Sequence, residues 1–504
     1  MTQTDIRPAE QAGATIFEKV LGWAALVLLL FHTLQVSFHY ILPEIERIEE
    51  TEMAAGQLLL AAALCYSLFC LARPARRGRL LHFLRAQLGY EQLFLILLPF
   101  WMLLVCRLWQ RASAHPYVAD YAWEIFSALL EALLLFPLAR VLGQERMRRV
   151  FGAVLKAALL AFAVFCVWVL WQYLHLNFVK FPSGNKLKIE YYSMRLGCHR
   201  NTTGAIAVAL TALALYFTAR EAGWRKLPYA LSAAVFTMIM VYSNSRTAWY
   251  VSLLLAFTVA FLAVWYRTEV LPLWARLLLG AAAAALAALM LHWARIGIFA
   301  VLDAALEKGG MFMEPEPLPK VLSATVGRPA AELRPLAGDP RRSLDTGFSG
   351  RLELYRACLY MLFHDRLCFF PGVTPRNVGT VVFGVCGVSR IEPHAHNYFL
   401  QMGMAYGVPA MLASMVFMAL VVWYGLRVLR HQRQLPQGSW MIAITVFTLL
   451  ALNMLEISLL KGVTVIPVIF FGFAGWLREL SRQAVRGPRG RADTDRHRVN
   501  IPVR

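Results

Sequence analysis

The chain has 504 residues, of which 59% are hydrophobic and only 16% charged, with a mean hydropathy of +0.54. A soluble globular protein carries about 25% charged residues, and long apolar runs recur along most of this chain, so composition excludes a soluble multidomain protein and predicts an all-α, multi-spanning membrane protein. The net charge of +20, from 50 Lys+Arg against 30 Asp+Glu, is accounted for by membrane topology, and no nucleic acid is expected as a partner.

In chain order, residues 1–16 form a short N-terminus with no basic n-region and no small-residue cleavage site, so the first apolar run is expected to stay in the membrane. About twelve runs approach the roughly 20 residues that a membrane helix needs. They lie near 17–42, 53–72, 88–109, 119–142, 150–175, 202–219, 227–243, 248–266, 273–294, 398–426, 439–460 and 462–478. The runs are continuous, whereas an outer-membrane barrel needs alternating strands of about ten residues. The predicted organisation is nine helices over 17–294, a large outer loop over 295–397, three helices over 398–478 and a basic tail over 479–504.

Charge sets the orientation. Arginines cluster in the loops 73–85, 140–149, 220–226 and 427–433 and in the tail, all on one face if there are twelve spans. Basic loops stay in the cytoplasm, so that face and both termini are expected there. The acidic segment PEIERIEETE (43–52) then falls outside. Two outer segments depart from the pattern. Residues 176–201 are basic, and the 295–397 loop is long enough to escape the charge rule. Within that loop, the Pro-, Gly- and Arg-rich stretch 309–343 reads as an irregular insert. Residues 349–366 have helical periodicity, with Leu352, Tyr355, Leu359 and Leu362 on one face and Ser349 as the N-cap. The expectation is an amphipathic helix lying over the outer face. Of eight cysteines, Cys198, Cys358, Cys368 and Cys386 face outside on this topology. They can pair as disulfides in an oxidising compartment, but spacing does not say how. No CxxC occurs, and no metal or cofactor is expected.

Four constellations can carry chemistry, each beside a blander reading. His394-Ala395-His396-Asn397 ends the outer loop, with Asn397 placed to cap the next helix and His396 placed as a base; an interfacial capping histidine is the plain alternative. Arg246, in Ser245-Arg246-Thr247-Ala248-Trp249, sits where a guanidinium needs a partner, such as a phosphate, or must snorkel. Arg195, in YYSMRLGCHRNTTG, is a second arginine at an outer span end, or an interface anchor. Glu456 is an acid in an apolar run and is expected to work in the site, or to pair with Lys461 or an arginine. Together they predict a cationic outer cavity with one base and no metal ligands, which suits an acidic lipid-linked substrate.

The segments SRTAW (245–249), GFSGRLELYRACLYMLFHDRLCFFPGV (347–373) and HAHNYFLQMGMAYGVPAM (394–411) occur in an order that resembles the O-antigen ligase and Wzy polymerase superfamily. The ligase pattern is H-N, nine residues, then G-x-x-G. Here His396-Asn397 is followed by nine residues and Gly407, with Ala410 in place of the second glycine. CFFPGV stands where relatives carry a P-L-x-G-x-G turn. The resemblance covers about 190–475 and implies a GT-C-like, metal-independent, inverting glycosyltransferase of the bacterial cytoplasmic membrane, acting on its outer face in lipopolysaccharide or other envelope glycan synthesis. The donor it implies is a glycan on undecaprenyl pyrophosphate, and the acceptor is a lipid A-core sugar for a ligase or a growing glycan for a polymerase. By the same resemblance, Arg195 and Arg246 match arginines on the donor pyrophosphate, His396 matches the loop histidine that activates the acceptor hydroxyl or supports the donor, and Glu456 corresponds loosely to an acid near the end of a late span. Arg351 and Arg356, about one turn apart, guide phosphate or acceptor, or else form a solvated helix face. A flippase or other transporter and a membrane scaffold are the alternatives from other classes.

Overall fold

The computed structural model describes residues 90–113, 115–174, 194, 196, 200–308, 349–386, 394–457, 459 and 465–486. The expected spans at 17–42 and 53–72, the 309–343 insert, Arg195, Cys198, Lys461 and the tail beyond 486 lie outside the described residues. No strand occurs among the described residues. Six helices are long and apolar enough to cross a membrane: Glu91–Ser113, Gly143–Trp171, Arg200–Arg220, Arg246–Arg267, Leu273–Val301 and Tyr398–Arg430. The protein is thus built as a helical membrane protein.

In chain order the helices are α1 (Tyr90–Ser113), α2 (Tyr117–Asp120), α3 (Ala122–Leu130), α4 (Leu138–Arg146), α5 (Gly152–Leu174), α6 (Arg200–Arg220), α7 (Leu227–Tyr242), α8 (Arg246–Arg267) and α9 (Leu273–Lys308). They are followed by α10 (Ser349–His364), α11 (Arg366–Phe369), α12 (Pro375–Cys386), α13 (Tyr398–Arg430), α14 (Ser439–Asn453) and α15 (Val465–Arg486). The chain divides into two compact units. The first comprises the described residues up to Ala158 and those from Ala357 onward; the second comprises Leu159–Arg356.

In the first unit α13 is the central helix, with α1, α14, α15 and the short α11 and α12 packed on it. α1 runs antiparallel to α13: the indole N–H of Trp109, late in α1, donates to the Gly372 carbonyl beside the first half of α13 (2.7 Å), while Glu91, early in α1, meets Tyr424 near its end. The predicted span 119–142 is not one helix. α3 widens into a π-helical turn over Glu131–Leu135, and α4 starts after Pro137. Proline has no N–H to give and clashes with the preceding turn, so a helix cannot run through it undisturbed. Gly475 of α15 fits against the resulting bend so closely that a Cβ there would lie 1.9 Å from the Phe136 carbonyl oxygen.

In the second unit α6 packs on α7 and α8, and α8 on α9. α6 is rich in Ala, Gly and Thr, and small residues let membrane helices approach closely. A Cβ on Gly204 would come within 2.7 Å of the Cβ atoms of Ser245 and Ala248, so α6 touches the turn between α7 and α8 almost backbone to backbone. α9 continues as one helix to Lys308, past the predicted end at 294. Its outward side chains, among them Leu278, Leu286, Met290 and Trp293, are the face expected to meet lipid.

The predicted helix at 349–366 forms as α10, but its buried stripe is Leu354, Cys358, Met361 and Leu362. Of the residues expected to share the buried face, Leu352 and Leu359 are exposed. Leu362 is common to both stripes and is buried; packing turns the helix so that Leu354, Cys358 and Met361, rather than Leu352 and Leu359, are buried with it. Cys358 and Cys368 are buried.

Candidate functional site

The first cluster is built where α13 begins. Asn397 has an extended backbone (φ −152°, ψ 128°), and its Oδ1 accepts the Leu400 N–H (3.0 Å), a side-chain N-cap as expected from sequence. The same side chain donates through Nδ2 to the Met454 carbonyl (2.9 Å). One residue therefore starts α13 and ties its head to the turn after α14. The chain ahead of it is held by Gln401, whose Oε1 accepts the Ala395 N–H (2.9 Å). Between them His396 adopts φ +49°, a conformation that non-glycine residues rarely take and that tends to cluster at functional sites.

The His396 ring meets Glu456. Nδ1 lies 3.3 Å from Oε2, with side-chain exposures of 13% and 9%. Glu456 is presented by a turn that Asn453 shapes: its Nδ2 donates to the Leu449 carbonyl (2.8 Å) and its Oδ1 accepts the Leu459 N–H (2.9 Å). A carboxylate on Nδ1 holds a proton there and puts the ring's lone pair on Nε2, which is the tautomer of a general base. His394 stands beside it, with ring centroids 4.1 Å apart. Its Nδ1 accepts the His396 backbone N–H (3.3 Å), so the neutral His394 ring carries its proton on Nε2.

Beyond the nine residues that follow Asn397, α13 breaks at Gly407. Gly407 has φ +79°, ψ 167°, and Pro409 has no N–H for the Ala405 carbonyl. The carbonyls at the break find partners elsewhere. Met404 O accepts the Val373 N–H and Ala405 O the Thr374 N–H (both 2.9 Å), while Tyr406 O accepts the Trp101 indole N–H (2.7 Å). The segment that contains CFFPGV thus serves as the missing turn of α13. Contact is backbone to backbone: a Cβ on Gly372 would lie 2.4 Å from Gly407 N, and one on Gly407 would lie 3.0 Å from the Phe369 and Pro371 carbonyl oxygens.

The second cluster lies in the second unit, at the turn between α7 and α8. Asn244 reverses the chain with φ +48°, and Ser245 caps α8 by accepting the Ala248 N–H through Oγ (3.3 Å). Arg246 is therefore the first residue of α8, half-buried. Arg295 of α9 is buried over the Trp249 ring, with its guanidinium carbon 4.6 Å from the centroid, and donates through Nη2 to Asn244 Oδ1 (3.4 Å). Arg351 of α10 donates through Nη1 to Thr247 Oγ1 (2.7 Å), so it joins this cluster; Arg356 is exposed. Arg195 lies outside the described residues, but its neighbours are tied to the same region: the Met194 N–H donates to Tyr242 O (2.8 Å) and the Leu196 N–H to Thr203 Oγ1 (2.9 Å).

Sequence reasoning missed Arg295, Asn244 and Gln401. Arg295 left a readable signal, as the one charged residue in the apolar run 277–302. The other two did not, because their roles depend on turns that only the fold defines. Among the described residues, no three His, Cys, Asp or Glu side chains gather as a metal-binding group. No protein-family model matches the chain, and no curated protein matches it either.

Proposed function

We propose that this protein is a membrane glycosyltransferase of O-antigen ligase type, which moves a glycan from undecaprenyl pyrophosphate to an acceptor sugar on the outer face of the bacterial cytoplasmic membrane. The observation that carries the reading is the His396–Glu456 pair, a half-buried imidazole on a buried carboxylate, held at the head of α13 by capping and turn residues. In the proposed chemistry His396 Nε2 takes the acceptor hydroxyl's proton as the oxygen attacks the anomeric carbon. The pyrophosphate leaves with the bonding electrons, and a guanidinium neutralises its growing charge. By the resemblance of its sequence segment, Arg246 is the guanidinium proposed for the pyrophosphate; within the second unit Arg351 and Arg295 hold the turn that carries it. The H-N-x9-G pattern gains a physical sense: Asn397 starts the half-helix and Gly407 ends it.

A transporter is the second reading, favoured by the break in α13, because transporters line substrate and ion sites with discontinuous helices. The carbonyls that such a break would offer to an ion are here already bonded to Val373, Thr374 and Trp101, which weighs towards the transferase. The deciding experiment gives purified full-length protein an undecaprenyl-pyrophosphate-linked glycan, first alone and then with lipid A-core. A product that appears only with lipid A-core, and is lost in His396→Ala, supports a ligase. A ladder from donor alone reassigns the protein as a polymerase, and no transfer under either condition overturns the transferase reading.

A further inference from the structure

Polar groups run through the first unit from one end of α1 to the other. At the end where Trp109 lies, Asp120 meets His115 (2.8 Å) and Arg376 (3.7 Å) at the surface. α2 ends and α3 begins at Tyr121, whose backbone (φ −114°, ψ 11°) is not helical, although its N–H donates to the Tyr117 carbonyl (3.2 Å) and its carbonyl accepts the Ile125 N–H (3.0 Å). Beyond this kink Glu124, Ser127 and Glu131, spaced by three and four residues, form one stripe along α3 and the π-helical turn after it, with Asp120 next to Glu124 at its start. Along it burial deepens: Asp120 is exposed, Glu124 half-buried, and Ser127 and Glu131 buried at 5% and 8% exposure. Beyond Glu131, Gln92 of α1 donates through Nε2 to the Ala132 carbonyl (3.3 Å). Next to it Glu91 accepts from the Tyr424 hydroxyl and pairs with Arg478 (3.4 Å) at the opposite end of α1. Arg140, Glu479 and Arg482 lie near that pair.

Several polar atoms on this path have no hydrogen-bond partner in the protein. Glu124 Oε2, Ser127 Oγ and Gln92 Oε1 are buried without a hydrogen bond, and Glu91 Oε2 has only its ion pair with Arg478. Among the described residues, Glu131 makes no ion pair. Buried polar atoms without a protein partner are sites for water, and ionisable side chains at membrane depth, here on α3 packed beside the spanning helix α1, mark proton or ion paths. The stripe is a file rather than a cage, since its carboxyls stand one to two helical turns apart. That spacing suits a proton handed between carboxyls and waters and not a cation ringed by oxygens.

We infer that the first unit carries a proton path from Asp120 through Glu124, Ser127 and Glu131 to Gln92 and Glu91. A proton enters at the Asp120 end, is relayed through water and the two intervening carboxyls, and leaves at the Glu91 end, each group regaining its starting state. This path does not rest on the transferase assignment and includes none of the residues assigned to it.

The test reconstitutes the full-length protein in liposomes that enclose a pH-sensitive dye, with a potassium diffusion potential to draw protons in. Wild type is expected to admit protons faster than protein-free vesicles, and Glu131→Gln to slow the flux by roughly tenfold or more, because it removes the titratable step. Glu145→Gln, which alters only an exposed pair with Arg149, should match wild type. Ser127→Ala keeps the helix intact and should also slow the flux, so the outcome stands even if Glu131→Gln does not fold. Wild-type flux no faster than that of empty vesicles, or flux unchanged by both substitutions, would sink the path. Flux that follows a sodium gradient in place of the pH gradient would replace it with a sodium path.

Discussion

Glu456 and His396 stand 60 residues apart in sequence and 3.3 Å apart in space, and their separate contributions can be told apart by substitution. His396→Ala removes the proposed base and should lower transfer roughly 10²- to 10⁴-fold, as expected for loss of a general base. Glu456→Gln keeps an oxygen to accept from Nδ1 but removes the charge that steadies the imidazolium, so it should slow transfer by less than His396→Ala while leaving donor binding unchanged. Equal rates for Glu456→Gln and wild type would reduce the pair to a structural contact. Asn397→Asp separates two functions of one side chain. Aspartate caps a helix as well as asparagine does, but it has no donor for the Met454 carbonyl. Loss of that bond should cost about 1 kcal/mol or more, seen as a lower melting temperature with α13 still helical by circular dichroism. His396, Asn397 and Glu456 could be singled out in the sequence because each is a polar residue at the edge of an apolar run. Their pairing was not legible, because it depends on how Asn453 rounds the turn after α14.

At the scale of elements, α13 shows where pattern reading stops. Its existence as a long apolar helix was evident from the run at 398–426, and Gly407 stood out only as a motif position. The break itself follows from Gly407 and Pro409 together, and its stability follows from the segment 369–374 that fills it. The same limit applied to 119–142, where Pro137 sat in plain view inside an expected span. Hydropathy measures apolar content, not backbone continuity. If the 369–374 segment substitutes for a helical turn, then Gly372→Ala should be among the most damaging small substitutions in the chain. Gly372 has φ +99°, and its new Cβ would lie 2.4 Å from Gly407 N. The conformational strain alone is about 1–3 kcal/mol. Trp101→Phe tests the same joint from the other side: it preserves an aromatic ring but strands the buried Tyr406 carbonyl, at about 1–3 kcal/mol. Both should lower the melting temperature of the purified protein in detergent. A Trp101→Phe variant as stable as wild type would mean that the carbonyl has another donor.

For the molecule as a whole, composition sufficed to read a helical membrane protein, and the charge rule assigned its sides. The first unit lets that assignment be tested on structure. Its Glu91 end gathers Arg140, Arg478 and Arg482 around two carboxylates, Glu91 and Glu479, and α13 ends there with Arg427 and Arg430. The opposite end carries His396, Glu456 and the His115–Asp120–Arg376 group. By the rule that basic residues flanking spans stay on the cytoplasmic side, the Glu91 end is expected in the cytoplasm and His396 on the outer face, as the proposed function requires. Ser113 is exposed at the His396 end of α1, and Gln434 is exposed just past the far end of α13. In intact cells a membrane-impermeant thiol reagent should label Ser113→Cys and not Gln434→Cys, with Gln434→Cys labelled once the membrane is opened and the unsubstituted chain giving the background. The reverse pattern would put His396 in the cytoplasm, away from any glycan on the outer leaflet. The proposed donor would then have to be abandoned even though the His396–Glu456 pair remained intact.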